Sequence, residues 1–462
     1  MELSYIGLAV SAVVLLAGWA LGSAPLYGLM LALPLGSTAF ATLPALGGST
    51  PQIYTLFAML LVAQSAARAD CAAALRAVFA GQRAAWLVVG LTVLALVGAA
   101  VLPRLFEGAM TVPFPVERSA DDMLLQPTAK NVSQSGYLLL DALVYLALAM
   151  QLAAAPRRRW IVTAFFVWSG AHTALGVVDL IAKHAGYGDV FAPIRTAAYA
   201  FLATDVVAGF PRLTAALPEA STFATMSLGC LGFAAVYWQH TGSRPALALT
   251  LANILLLLLS TSTTAYVGLA VLALPFAWHA GTVAWRHGWA AALRTRPARG
   301  LAAAAAMVVV LAASGVFGSY GHLIDVMVVD KPASQSGVER AHFNRLSIGN
   351  LIDTGGLGIG LGSSRTSSWV VAVLAQLGVP GAILMALLAL RLLRGMRGIA
   401  PKPDNAALLA AGDAVAAAAI GGLIASALSG ASANPGTIFF VALAVVESWR
   451  WHAAARPAGR PR

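Results

Sequence analysis

Six ionisable side chains stand where so apolar a chain has little structural use for them: Arg212, Glu219, Arg340, His342, Arg345 and Arg365. Four of them fall in one stretch, DKPASQSGVERAHFNRLSIGNLIDTGGLGIGLGSSRTSSW, beside Glu339 and Asp353. If SGVERAHFNRLSIGNLI is helical, His342 and Arg345 at i, i+3 share a face, whereas Arg340 does not share one with Arg345. That arrangement offers one imidazole base beside a fixed cation; a solvated helix surface has the same look. In VVAGFPRLTAALPEASTFATM, Arg212 precedes Glu219 by seven residues at the entrance to an apolar run. Arginine there answers to an anion, to Glu219 itself, or to lipid phosphate. Glycines at 355, 356, 358, 360 and 362 are followed by hydroxyls at Ser363, Ser364, Thr366, Ser367 and Ser368. A glycine-rich backbone leading into a helix can form a nest for phosphate, or simply let backbones pack closely.

Other chemistries lack their residues. There is no GxxxxGK[ST] for ATP, no DxD pair for a metal-bound sugar nucleotide, and no His/Asp cluster at metal spacing, so no cofactor or metal is expected. Asp353-Thr354-Gly355 is a single copy of the aspartic-protease tripeptide without β-rich surroundings. Two cysteines, Cys71 and Cys230, make neither a Cys-rich metal site nor a disulfide framework. The net charge of +11 does not indicate nucleic acid, because the basic residues punctuate apolar segments. Asp141, His172, Asp179 and Asp413 lie in or near those segments, without repeat symmetry, and read as polar glue between helices more readily than as a proton path.

Membrane-spanning helices must position these groups. The 462 residues are 59% hydrophobic and 10% charged, with 44 Gly and 22 Pro. An ordinary soluble domain carries about 25% charge. This composition predicts an all-α polytopic membrane bundle. Apolar runs give spans near 4–21, 24–46, 51–67, 84–102, 137–155, 160–181, 221–239, 246–261, 264–285, 301–319, 367–390, 407–430 and 434–449, twelve or thirteen in all. MELSYIGLAV has no basic n-region and reads as a retained span. One set of connecting loops, with the tail, holds 19 Lys and Arg, and the other holds 10, so the richer side is cytoplasmic. The long segments, near 103–136, 182–220 and 320–366, then face outward. Arg391, Arg394 and Arg397, with the Arg/Pro tail, read as lipid-headgroup anchors. The chain divides into an N-terminal bundle (1–204), a core with the long loop 320–366 (205–390), and C-terminal spans with a basic tail (391–462).

Within 205–385 the pattern resembles a family. Arg212 in RLTAALPEAS, the polar run closing LLLLLSTSTTAYVGLA, Ser336-Gly337 followed by Arg340, then LGIGLG and AQLGVPG, are similar to the O-antigen ligase and Wzy-type polysaccharide polymerase superfamily. The resemblance implies a GT-C-like glycosyltransferase of the bacterial inner membrane, working at the periplasmic face without metal. Its donor is a glycan on undecaprenyl pyrophosphate, held by arginines of the outer loops, here Arg212, Arg340, Arg345 and Arg365. Its acceptor is a sugar hydroxyl on another lipid-linked glycan, and a flippase and a chain-length regulator are its expected partners besides membrane lipids. Ligases of the family carry His-Asn ahead of the closing glycine. Counting back eleven residues from Gly378 finds Ser367 and Ser368 instead. The base is therefore expected to be His342 or Glu219, and the serine version resembles exopolysaccharide polymerases. A ligase acting on lipid A-core is the alternative, and a proton-coupled transporter or flippase the second.

Overall fold

A computed structural model of the chain describes residues 2–113, 122–198, 206–207, 210–313 and 334–455. The described residues are 74% helical and almost without strands. In chain order the helices are α1 Tyr5–Ala20, α2 Ala24–Ala32, α3 Ile53–Ala66, α4 Cys71–Gly81, α5 Arg83–Leu105, α6 Ala129–Ala153, α7 Arg158–His184, α8 Ala220–Thr241, α9 Arg244–Leu259, α10 Thr263–His287, α11 Trp289–Arg294, α12 Arg296–Ala313, α13 Gln335–Asp353, α14 Trp369–Arg394, α15 Ala406–Ser429 and α16 Thr437–Ala455. Three short antiparallel pairs join loops: β1 Glu2–Leu3 with β2 Ala41–Thr42, β3 Thr111–Pro113 with β4 Asp122–Leu124, and β5 Val206–Val207 with β6 Phe210–Pro211.

The helices form a multi-pass membrane bundle, and among the described residues fewer helices are long and apolar enough to span than the thirteen apolar runs suggest. Among the described residues α5, α6, α7, α8, α10, α14 and α15 are long and apolar enough to cross, and α3 with α4 would make an eighth, bent by 102°. The run 24–46 is not one span: α2 gives way to a 3-10 turn at Leu33–Leu35, around Pro34, and the chain then pairs Ala41–Thr42 with the N-terminus. Helix α9 has 16 residues, about 24 Å against a hydrocarbon core of about 30 Å. The end of the run 301–319 and the start of the loop 320–366 lie outside the described residues. Conversely, α6 starts at Ala129, ahead of its apolar run, because Thr128 and Asn131 form a capping box in which the Thr128 amide donates to Asn131 Oδ1 at 2.8 Å.

Helices α8 and α15 pack most extensively against each other. A Cβ at Gly232 would lie 2.3 Å from the Ala417 carbonyl oxygen, and one at Gly421 would lie 2.3 Å from that of Leu228. Small residues bring these backbones together, the usual basis of packing where both surroundings are apolar. One continuous core runs from Val14 to Trp449.

The bundle has two distinct ends. At one, hydrogen bonds knit the long connections together: Ser37 N to Ala216 O (3.0 Å), Ala198 N to Thr50 Oγ1 (3.1 Å), Asn131 Nδ2 to Leu361 O (2.8 Å) and Trp369 Nε1 to Ala433 O (3.1 Å). At the other, Trp449 Nε1 donates to Pro156 O (2.6 Å), Arg450 to Gly395 O (2.6 Å) and Gln82 to Ser448 Oγ (3.0 Å). There Arg391 pairs with Glu447 at 2.7 Å, so its partner is a carboxylate within the bundle and not only lipid.

Candidate functional site

Arg212, Glu219, Arg340, His342, Arg345 and Arg365 lie on elements at the first of these ends. Arg212 and Glu219 bracket the connection into α8. The peptide between them is fixed from α7: the buried carboxylate of Asp179 accepts through Oδ2 from the amides of Thr214 (2.9 Å) and Ala215 (2.8 Å) and from Lys183 Nζ (3.0 Å). Lys183 Nζ also donates to Arg212 O (2.7 Å) and Thr214 Oγ1 (3.2 Å). Arg195, ion-paired with Asp189 at 2.9 Å, donates to the carbonyls of Ala215 and Leu217. Under this grip Ala215 adopts a left-handed φ of 48°, unusual for a residue with a Cβ. Glu219 is the N-cap residue of α8 and accepts from the Ser221 hydroxyl. Arg212 is half-buried.

The second segment is built on α13 and α14. Ser334 caps α13, accepting from the Gly337 amide at 3.2 Å. Phe343, Ser347 and Asn350 form its buried stripe, and Arg340, three residues before Phe343, is half-buried on that side. His342 and Arg345 are exposed. His342 meets a carboxylate: its Nε2 lies 2.9 Å and 3.1 Å from the two oxygens of Asp122, at the start of β4. The Arg365 guanidinium sits over the Phe343 ring, 5.4 Å from its centroid.

The glycine-rich run is not a phosphate nest. All five glycines have positive φ, from 60° to 91°. Their conformation serves a break in α14. Pro380 has no N–H, which releases the Gln376 carbonyl, and Gly378 leaves helical geometry at φ 66°, ψ −173°. Gly360 N then donates to Gln376 O (3.1 Å), Ile359 N to Ala375 O (2.9 Å), and Val379 N to Gly356 O (2.8 Å). Gly358 N bonds Thr354 Oγ1 and Gly362 N bonds Gln376 Oε1. The amides that would hold an anion are thus engaged by the chain, and the broken helix is satisfied by the loop inserted beside it. Ser367 and Ser368 are engaged as well: the Ser367 amide donates to Asn344 Oδ1 (3.0 Å) and the Ser368 hydroxyl to Ala427 O (2.8 Å).

At the same end the bundle opens into a cavity of about 760 Å³, which Leu217 and Pro218 of the first segment line but neither α13 nor any of the six ionisable residues does. Its wall takes residues from the 46–52 loop, the first turns of α6 and α8, Leu217-Pro218, the last turns of α15, and Pro435–Ile438. The lining is mainly apolar, with hydroxyls and amides set into it, among them Ser49, Gln52, Ser133, Gln134, Thr222 and Thr437, and Lys130 as its cation. Sequence reasoning passed over this cavity, because single Ser, Thr and Gln residues within apolar runs carry no motif. Helix spacing was the available signal: Thr222, Thr225 and Met226 on α8, and Lys130, Ser133, Gln134 and Tyr137 on α6, each recur on one face.

The structure thus joins Arg365 with Phe343, and His342 with Asp122, and it puts Pro218, next to Glu219, on the cavity wall. The other ionisable groups are engaged in packing. Asp141 accepts from Thr437 Oγ1 (2.6 Å) and Asn434 Nδ2 (2.8 Å), His172 meets Ser227 Oγ at 2.7 Å, and Asp413 accepts from the Met396 amide at 2.8 Å. Among the described residues no group of His, Cys, Asp and Glu could hold a metal ion.

Fold and composition together define a multi-pass helical membrane protein. No family model matches the chain, and no curated protein matches it.

Proposed function

We propose that this protein polymerises undecaprenyl-pyrophosphate-linked oligosaccharide repeat units at the periplasmic face of a bacterial inner membrane. The observation that carries the reading is the cavity of about 760 Å³, a mainly apolar wall set with hydroxyl and amide groups, at the end of the bundle where the arginine-bearing segments lie. Hydroxyl and amide groups suit sugar hydroxyls, and the aromatic residues Tyr54, Tyr137 and Trp168 line the same wall. Arg212, Arg340, Arg345 and Arg365 hold the pyrophosphate and stabilise the charge that grows on it as the glycosidic bond breaks. His342 or Glu219 takes the proton of the acceptor hydroxyl. A donor that carries its own leaving group needs neither nucleotide nor metal. Membrane lipids surround the bundle, and a flippase and a chain-length regulator are its natural partners; nucleic acid is not. Asp141, His172 and Asp179 have partners inside the bundle, which supports this reading over proton-coupled transport.

The test is purified protein in nanodiscs with undecaprenyl-pyrophosphate-linked repeat units and EDTA, products resolved as a ladder. Arg212→Ala should reduce polymer with a loss of about 2–4 kcal/mol in transition-state stabilisation, and Arg212→Lys should recover little, since the bidentate fork is gone. A requirement for added nucleotide would sink the reading. Transfer to lipid A-core without a ladder would replace it by the ligase. A cysteine at Ser334 should be labelled from outside intact cells, and labelling only after the membrane is breached would invert the topology.

A further inference from the structure

His342 and Asp122 belong to elements far apart in the chain, and the fold holds them together by a closed ring of contacts. Asp122 opens β4 and pairs in register with Pro113 of β3. The Pro113 carbonyl accepts the Arg365 amide at 3.4 Å. The Arg365 guanidinium rests on Phe343 at 5.4 Å, and Phe343 is the neighbour of His342 on α13. Its return path is the ion-pair contact itself, with His342 Nε2 at 2.9 Å and 3.1 Å from the Asp122 oxygens. A surface pair needs none of this bracing. Both partners nevertheless remain open to solvent, with side-chain exposures of 46% and 31%, so a substrate hydroxyl can approach the ring.

We infer that Asp122 is a positioning residue for His342, orienting the imidazole so that Nδ1 is the nitrogen that accepts the acceptor's proton. The inference rests on the polymerase reading. An ionised carboxylate only accepts, so the neutral ring must carry its proton on Nε2 to bond it, leaving the Nδ1 lone pair exposed. Arg345, one turn on along the same face, supplies a fixed cation beside the reacting groups. In the step, the acceptor hydroxyl proton passes to Nδ1 as its oxygen bonds the anomeric carbon of the donor. The bond from that carbon to the phosphate oxygen breaks, and undecaprenyl pyrophosphate leaves with the electron pair. The imidazolium, paired with Asp122, then returns its proton to solvent. A base oriented by a carboxylate is the arrangement that activates hydroxyls on unrelated folds.

The experiment combines spectroscopy and kinetics on the full-length protein in nanodiscs. With ¹⁵N-histidine labelling, wild type should show a low-field proton coupled to His342 Nε2, and Asp122→Ala should lose it. In the polymer assay Asp122→Ala should lower kcat about tenfold or more with KM little changed, less than the about 100- to 10,000-fold expected of His342→Ala. Asp122→Glu should recover part of the rate. A His342 Nε2 signal that is the same in wild type and Asp122→Ala overturns the positioning role whatever the activity. So does a KM effect without a kcat effect, or full activity in His342→Ala. Wild type that builds no polymer overturns the enzyme reading itself, and the base with it, a result separable from an active wild type whose Asp122→Ala variant is unaffected.

Discussion

The two arginine-bearing segments, 189–219 and 334–368, occupy the same end of the bundle and are held in opposite ways. The first is tied by charge: Lys183 and Arg195, with side chains only 5% and 4% exposed, are engaged by Asp179 and Asp189 and by the carbonyls around them. The second is tied by backbone, its glycines inserted beside the broken helix α14, and its cations stay half-buried or exposed. Charge used for holding a loop is unavailable to a ligand. Backbone used for holding leaves the side chains at the surface, so the second segment is better built to present arginine and histidine to an anion.

The largest stability effect should come from breaking the charge-held segment. Asp179→Ala leaves Lys183 buried without its counter-ion and frees two amides, at a cost of about 3–5 kcal/mol. Little folded protein should remain by size-exclusion profile and thermal unfolding in detergent. Replacing both partners, Asp179→Leu with Lys183→Met, should be more stable than Asp179→Ala, because no buried charge is then orphaned. If the single variant unfolds at the wild-type temperature, the ionic account of this loop is wrong.

Next comes the backbone-held segment. Gly378→Ala would place a Cβ 2.3 Å from the Leu357 carbonyl oxygen, at a φ of 66°. Strain and overpacking together should cost about 2–4 kcal/mol. Gly358→Ala meets the same contact from the other side, 2.7 Å from Gly378 N, so the double variant should cost less than the two singles added. Strict additivity in thermal unfolding would mean that the loop and the break are not one unit.

What could be read in the sequence follows from the same contrast. Apolar runs in the chain locate α5, α7, α8, α10, α14 and α15 closely, since lipid demands length and hydropathy, and both are one-dimensional. Run length could not tell that 24–46 turns back at Pro34, nor that α3 and α4 bend by 102°. For the site, the spacing of His342 and Arg345 puts both on one exposed face, as a helical wheel requires. The glycine run was ambiguous between nest and packing, because composition does not say where amides point; only the carbonyls released at Pro380 decide it. Asp122, 220 residues from His342, has no local signature at all.

A smaller effect is expected where side chain and backbone meet. Arg365→Ala removes the cation from the Phe343 ring and should cost about 0.5–1 kcal/mol of stability, with Arg365→Lys keeping part of it. Differential scanning fluorimetry in nanodiscs resolves the order. An effect as large as that of Gly378→Ala would show that the stack, and not the backbone, carries the segment.

The smallest stability effect separates the two modes of holding most sharply. Arg345 is exposed on α13, away from the Phe343 stripe that packs the helix, so Arg345→Ala should change stability by no more than about 0.5 kcal/mol. On the proposed polymerase reading its effect on polymer should be large, about 2–4 kcal/mol in the transition state, because that reading gives this cation to the donor's pyrophosphate. Asp179→Ala should show the reverse pattern, losing fold and activity together. Measuring thermal midpoint and polymer yield on the same preparations puts each variant on one of two lines: activity falling with stability, or activity falling alone. Arg345→Ala on the first line would make the residue structural. Normal yield and length in Arg345→Ala would remove the charge-assisted contact from the mechanism, and the difference between the two segments would then be one of folding only.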